Sequence, residues 1–391
     1  MTDEAEGGVT EPVPAPRPRW RHRLIVTASV VVAAGALAGG FWGWSAASES
    51  RFDEASASLA TQQAAETSAV HAYDARLRDV SLVSQRIRSV VDSPAFVGQG
   101  ATEAATLSQA LGVLEPLAAA QPVEVPAAVH IDQSAYRPPW QLVTEAEQFE
   151  GRTRASQQTE GSLRTLASDA AAAETSVYAA ETAYFGNAAT AAEQTISSNA
   201  LSNRSVQVPL LRLIEQARNS TLSESRNGAF VDSLANAEAQ VVASQATQQS
   251  ELDDPAWAVR REVEAYARSL SNGVALEFVW APEVSGLGDN WLSGTAESYD
   301  SDGGWSIISL NYTVEREWEN GRNARALVAH EVGHTQVYRC WPLFSGDAFH
   351  QNSEIWATAW SISQGFDVPG SGIEAYGRPT DEQISVAGQC R

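Results

Sequence analysis

Ala329-His330-Glu331-Val332-Gly333-His334 decides how the C-terminal part of this 391-residue chain is read. The two histidines stand four positions apart, so a helix puts both imidazoles on one face, one turn from each other. At that spacing two neutral ring nitrogens can reach a single Zn²⁺ at about 2.0–2.1 Å. Glu331 follows the first histidine and is placed to act as general base toward a water held by the metal. Leu327, Val328, Val332 and Val337 around the motif predict a half-buried helix that begins near Arg322. The chain has six histidines and three of them fall within residues 330–350, which favours a metal site over a chance pattern on a surface helix.

Outward from the motif, Asp254-Pro255 is an N-cap followed by proline at the first helical position. Val259, Val263, Tyr266 and Leu270 form one apolar face, and Asn272-Gly273 closes that helix. Two strand-like runs follow, Val274–Trp280 and Trp305–Val314, with a loop rich in Gly and Asp between them. Strands followed by a motif-bearing helix predict an α+β domain over residues 254–391.

The motif resembles that of the HExxH zinc metallopeptidases, the zincins, and more loosely their gluzincin branch. The resemblance spans about the last third of the chain, specific at the motif and weak elsewhere. It implies that His330 and His334 bind Zn²⁺, that Glu331 activates water for peptide-bond hydrolysis, and that the strand Trp305–Val314 borders the cleft. An extended substrate then pairs with an edge strand.

The third ligand is less plainly marked. In the metzincin pattern a glycine and a third histidine follow, and Val337 and Cys340 stand there instead. That branch fails unless Cys340 itself binds the metal. In the gluzincin pattern a second helix supplies a glutamate, and Asn352-Ser353-Glu354-Ile355-Trp356-Ala357-Thr358 resembles it, with Glu354 twenty residues beyond His334. The metal ligands implied are therefore His330, His334 and Glu354. The acid that often orients a ligating histidine in this branch is replaced by Thr358, a weaker orienter. Asp347 and His350, in the loop ahead of that helix, are rival ligands. Tyr376 and Arg378 can stabilise an oxyanion or serve ordinary loop packing; the catalytic set keeps only Glu331.

Composition changes near Asp254. Residues 45–253 contain one tryptophan, Trp140, against eight in residues 254–391, and the earlier stretch reads as all-α. Val70, Tyr73, Leu77, Val80, Ile87 and Val91 share one helical face. Leu163, Leu166, Ala170, Ala173, Val177, Ala180 and Tyr184 hold an a/d heptad series. Phe230, Leu234, Ala237 and Val241 continue in a third helix after Pro209. Residues 94–139, with six prolines, read as an irregular connector. A helical bundle or coiled-coil stalk is expected, open to a helical partner or to self-association.

At the N-terminus, Arg17, Arg19, Arg21 and Arg23 precede an uncharged run from Leu24 to Trp44. Its 21 positions are long enough for a hydrocarbon core of about 30 Å. Residues 1–23 are read as a cytoplasmic tail and residues 24–44 as a transmembrane helix anchoring a cell-membrane protein. A signal peptide cleaved near Ser45-Ala46-Ala47 is the other reading, and both export the rest of the chain. Cys340 and Cys390, the two cysteines, then face an oxidising compartment where an even pair predicts a disulfide. The net charge of −22 argues against nucleic acid as a partner. The expected function is an extracytoplasmic zinc-dependent peptidase acting on peptide or protein substrates of the cell envelope. The alternative is an envelope interaction or stalk protein whose zincin domain is weak or inactive.

Overall fold

The computed structural model describes residues 20–129, 136–288, 290–301 and 303–391, with the side chains of 20–38, 220, 222 and 223 outside that description. The chain divides into two compact units, residues 1–82 with 114–174, and residues 83–113 with 175–391. The composition boundary near Asp254 falls inside the second.

The first unit is built on the long helices α1 (Trp20–Val91) and α3 (Pro139–Ser198), with the end of α2 (Ala101–Ala118) and an extended segment between them. Arg51 pairs with Glu150, Gln62 with Glu160 and Arg76 with Glu174, at sequence offsets of 99, 98 and 98. A constant offset means that the two helices run parallel. The chain makes that possible by returning through α2 and the extended segment, where Asp74 accepts from the Val123 amide and Gln63 from the Val129 amide. Phe52, Ala55 and Leu59 pack with Leu142, Ala146 and Phe149, and Val70, Tyr73 and Leu77 with Leu163. The expected heptad stripe is buried except at Leu166, which is exposed.

In the second unit, α4 (Arg204–Arg218) and α5 (Gly228–Asp253) pair, and Glu181 is fully buried between Arg86 and Arg226. Then come α6 (Ala258–Leu270), β1 (Ala275–Ala281), β2 (Gly294–Tyr299), β3 (Trp305–Asn311), α7 (Tyr312–Glu317), α8 (Arg322–Thr335), α9 (Trp341–Phe344), α10 (Ser353–Ser363), α11 (Ile373–Tyr376) and α12 (Asp381–Ala387). The sheet order is β1-β3-β2, with β3 parallel to β1 and antiparallel to β2. Central β3 buries Ile308 and Leu310 against Val328, Ala329 and Val332 of α8 and Trp356 and Trp360 of α10, in one core with Val263 and Ala267 of α6. Cys340 and Cys390 form a disulfide that ties the C-terminus to the segment after α8.

The fold class expected from the sequence is corrected. The chain is predominantly helical throughout, and its sheet is confined to three strands of six or seven residues. The run from Leu24 to Trp44 does not stand apart as a transmembrane helix but is the start of α1, which continues to Val91. Among the described residues no helix is long and apolar enough to cross a membrane. The described end of the run carries Gly39, Gly40 and Gly43 and leads directly into Glu49, Arg51, Asp53 and Glu54. Of the tail read at 1–23, residues 1–19 lie outside the described residues and the rest begins α1. The connector at 94–139 holds α2, whose Leu107, Leu111 and Leu114 are buried on one face. The expected strand Trp305–Val314 is strand only as far as Asn311, where β3 ends and the chain enters α7 at Tyr312.

Candidate metal centre

Helix α8 is buried on both sides: Val328, Ala329 and Val332 pack in the core with the sheet, while His330 and Glu331, each 3% exposed, line a cleft. The second wall is α10. Asn352 caps it by accepting from the Ile355 amide at 3.1 Å, which places Glu354 in the first turn. Trp356 Nε1 donates to Gly333 O at 3.0 Å and Ser361 Oγ to Ala326 O at 3.0 Å, fixing α10 on α8. The helices meet at Gly333, where a Cβ would stand 3.0 Å from Ala357 Cα. Larger residues there would push Glu354 away from the histidines.

This packing brings three ligand atoms together. His334 Nε2 lies 3.2 Å from His330 Nε2, and Glu354 Oε2 lies 3.3 Å from the first histidine and 3.4 Å from the second. Ligands held at 2.0–2.1 Å around a tetrahedral Zn²⁺ sit about 3.3–3.4 Å from one another. The triangle matches that spacing on every side, and two nitrogens with one carboxylate oxygen is a donor set that suits zinc. Two imidazole lone pairs and a carboxylate crowded this closely also repel unless a cation or proton lies among them. The residues present therefore fit the metal.

The remaining nitrogen of His330 has its own partner. Ser371 O lies 3.0 Å from Nδ1, and Thr358 Oγ1 lies farther, at 3.4 Å. With Nδ1–H donated to that carbonyl, Nε2 carries the lone pair that a metal requires. The Ser371 carbonyl thus supplies the orientation for which Thr358 looked too weak. It gets close because Gly372 has φ +97° and because a Cβ there would come 2.8 Å from the His330 ring. Tyr376, one turn on, stacks over His330 with centroids 5.8 Å apart and planes 6° from parallel.

The carboxylates are driven apart electrostatically. Burial, reinforced by Glu354 and opposed by His330, raises Glu331 to about 7. The imidazoles of His330 and His334, which hydrogen-bond to Glu354 whenever Nε2 carries a proton, hold its carboxyl well below the usual carboxylate range. Burial, with the Glu354 carboxylate beside it, raises the Tyr376 phenol. One carboxyl is thus brought to titrate near neutrality, and the other stays ionised.

The sequence-predicted residues His330, Glu331, His334 and Glu354 all line one cleft of about 860 Å³. Asp347 and His350 do not line it, and both are exposed. Cys340 is in the disulfide. Arg378 turns away to Asp367 and Asp381, each at 3.0 Å. The strand bordering the cleft is β2, through Gly294, Thr295, Ala296 and Ser298, because β3 is enclosed between its neighbours. Gly294 passes so near Glu331 that a Cβ would lie 2.8 Å from its Cγ. Sequence reasoning missed β2, Ser371 and the placement of Tyr376. Gly-Thr-Ala-Glu-Ser-Tyr offers little apolar alternation, and the other two lie more than a helix away from the motif in the chain.

No protein-family model, curated protein or solved structure matches the chain.

Proposed function

We propose that this chain is a zinc-dependent peptidase working outside the cytoplasm. The observation that carries the proposal is the triangle of His330 Nε2, His334 Nε2 and Glu354 Oε2, with Glu331 beside it, lacking a hydrogen-bond partner among the described residues, in an open cleft. His330, His334 and Glu354 would hold Zn²⁺, which when bound lowers the pKa of water and polarises a carbonyl. Glu331 accepts the proton from the attacking water and returns it to the leaving amine, a role its raised pKa suits. Gly294 leaves β2 without a side chain over Glu331, so the carboxylate stays accessible from the cleft. The unpaired edge of β2 offers amide and carbonyl groups to an extended peptide. Tyr376 shields the His330 face from bulk water. The Cys340–Cys390 disulfide supports the extracytoplasmic location, since such bonds persist in oxidising compartments. The orientation of His330 by Ser371 supports an active centre over an inactive remnant.

The test is Glu331→Gln. The variant is expected to keep one equivalent of zinc and to lose peptide hydrolysis by at least about a hundredfold, the range ascribed to a general base. Zinc loss in this variant, or hydrolysis at the parent rate, contradicts the assigned role.

A further inference from the structure

Asn311 turns its side chain away from the helix it precedes. It is fully buried at the end of β3 and stands at the N-cap of α7, where an asparagine ordinarily accepts from the helix's own first turn. No such bond forms here. Asn311 Nδ2 instead donates to Trp291 O at 2.6 Å and to Leu287 O at 3.3 Å, and its Oδ1 accepts from the Ser293 amide at 3.3 Å. Its own amide donates to Ser293 O at 3.0 Å. One buried side chain thus fastens the connection between β1 and β2, with both donors and the acceptor oxygen engaged.

That connection is also stiffened from within. Ser285 and Gly286, both at positive φ, make a two-residue turn of the kind that suits the twist of a hairpin. Val284 and Leu287 exchange both backbone hydrogen bonds across it at 3.0 Å. Ser293 Oγ, itself buried, closes the base by donating to Val284 O at 2.8 Å.

What this polar scaffold presents to the cleft is apolar. Leu287 is 42% and Trp291 60% exposed, and both line the cavity of the metal centre. Large apolar side chains held in water by a rigid backbone keep their hydrophobic free energy for a partner, with little ordering cost on binding. Their place follows from the chain. Trp291 is three residues ahead of Gly294, which opens the edge strand β2 and whose Cβ would stand 2.8 Å from Glu331 Cγ. Three residues reach at most about 11 Å, so the apolar wall continues directly from the strand edge offered to a peptide.

We propose that Leu287 and Trp291 form an apolar subsite selecting peptides with an aromatic or large aliphatic side chain within about three residues of the cleaved bond, and that Asn311 is its positioning residue. This rests on the peptidase reading of the centre beside it.

Ten-residue fluorescent peptides of Ser, Gly and Gln, carrying Phe, Leu, Ala or Asp at one central position, test this. Binding is measured by anisotropy on zinc-loaded full-length Glu331→Gln protein, and on the parent held in chelator. Phe and Leu peptides are expected to bind about tenfold tighter than Ala peptides, the gain from burying part of a large apolar side chain, with Asp peptides weakest. Leu287→Ala/Trp291→Ala, at exposed positions, brings that ratio to about one. Asn311→Ala keeps both apolar side chains but frees their backbone, so the ratio falls there too; where that variant does not fold, the exposed pair decides. Equal binding of Phe and Ala peptides, no binding, or a preference that survives the exposed double variant overturns the subsite. A preference retained in folded Asn311→Ala overturns its positioning role. Hydrolysis by the metal-loaded parent is read separately, with cut sites located by mass spectrometry. Cleavage that ignores the Phe position sinks this proposal alone, whereas Phe-selective binding with no cleavage of any peptide sinks the peptidase reading and leaves the subsite standing.

Discussion

Glu331 is the residue at which burial and function pull in opposite directions. At 3% exposure its ionised form is costly, and burial lifts its pKa from 4.5 to about 7. A carboxyl raised in the folded state adds no cost below the unfolded value, where it is protonated in both states. Its full cost is present once pH exceeds the folded value. The metal-free parent should therefore lose stability between pH 4.5 and about 7 through this group, by roughly 3 kcal/mol. Glu331→Gln removes the titration. Thermal unfolding in chelator should show the variant more stable than the parent above pH 7, the two converging below pH 4.5. A difference that does not change with pH would contradict the assigned burial. The placement of Glu331 in the cleft was legible in the sequence, because a residue beside the first of two helical histidines shares their side of the helix. That of Ser371 was not, since a backbone carbonyl leaves no mark on residue identity.

At the scale of elements, the site depends on the contact of α8 with α10. Both helices were legible: Arg322 begins the first, and Asn352 and Gly365 bracket the second by ordinary capping chemistry. Their mutual distance was not, because it is set by Gly333 against the Ala357 backbone, a long-range fit. Gly333→Val should separate the helices by a few tenths of an ångström, cost about 1–3 kcal/mol through overpacking, and weaken zinc binding more than tenfold while the helical content stays. Circular dichroism beside a chelator titration checks this; unchanged zinc affinity would show that the close approach does not set the ligand triangle. The sheet was read less well. Trp305–Asn311 is apolar enough to announce a strand, yet its central position depends on β2, whose Thr295, Glu297 and Tyr299 look like loop. Likewise the prolines around 94–139 hid α2, although Leu107, Leu111 and Leu114 keep helical spacing.

For the whole molecule, the disulfide and the proposed metal centre are separate fastenings of one C-terminal region. Cys340 and Cys390 are 50 residues apart in sequence and enclose α9, α10, α11 and α12. In the chain-entropy model closing such a loop contributes about 4 kcal/mol. Cys340→Ala/Cys390→Ala should lower the denaturation midpoint accordingly while retaining zinc, because neither sulfur is a ligand. Loss of zinc in that variant would return Cys340 to the ligand set. The same enclosed segment carries Glu354 and, outside the cleft, the rival His350. The central claim is that the zinc site consists of His330, His334 and Glu354, and the most direct measurement is zinc titration against a competing chelator for the parent, Glu354→Ala and His350→Ala. One zinc per chain is predicted, with affinity reduced about a hundredfold or more in Glu354→Ala and unchanged in His350→Ala. A Glu354→Ala protein that binds zinc like the parent, with loss in His350→Ala instead, would contradict it.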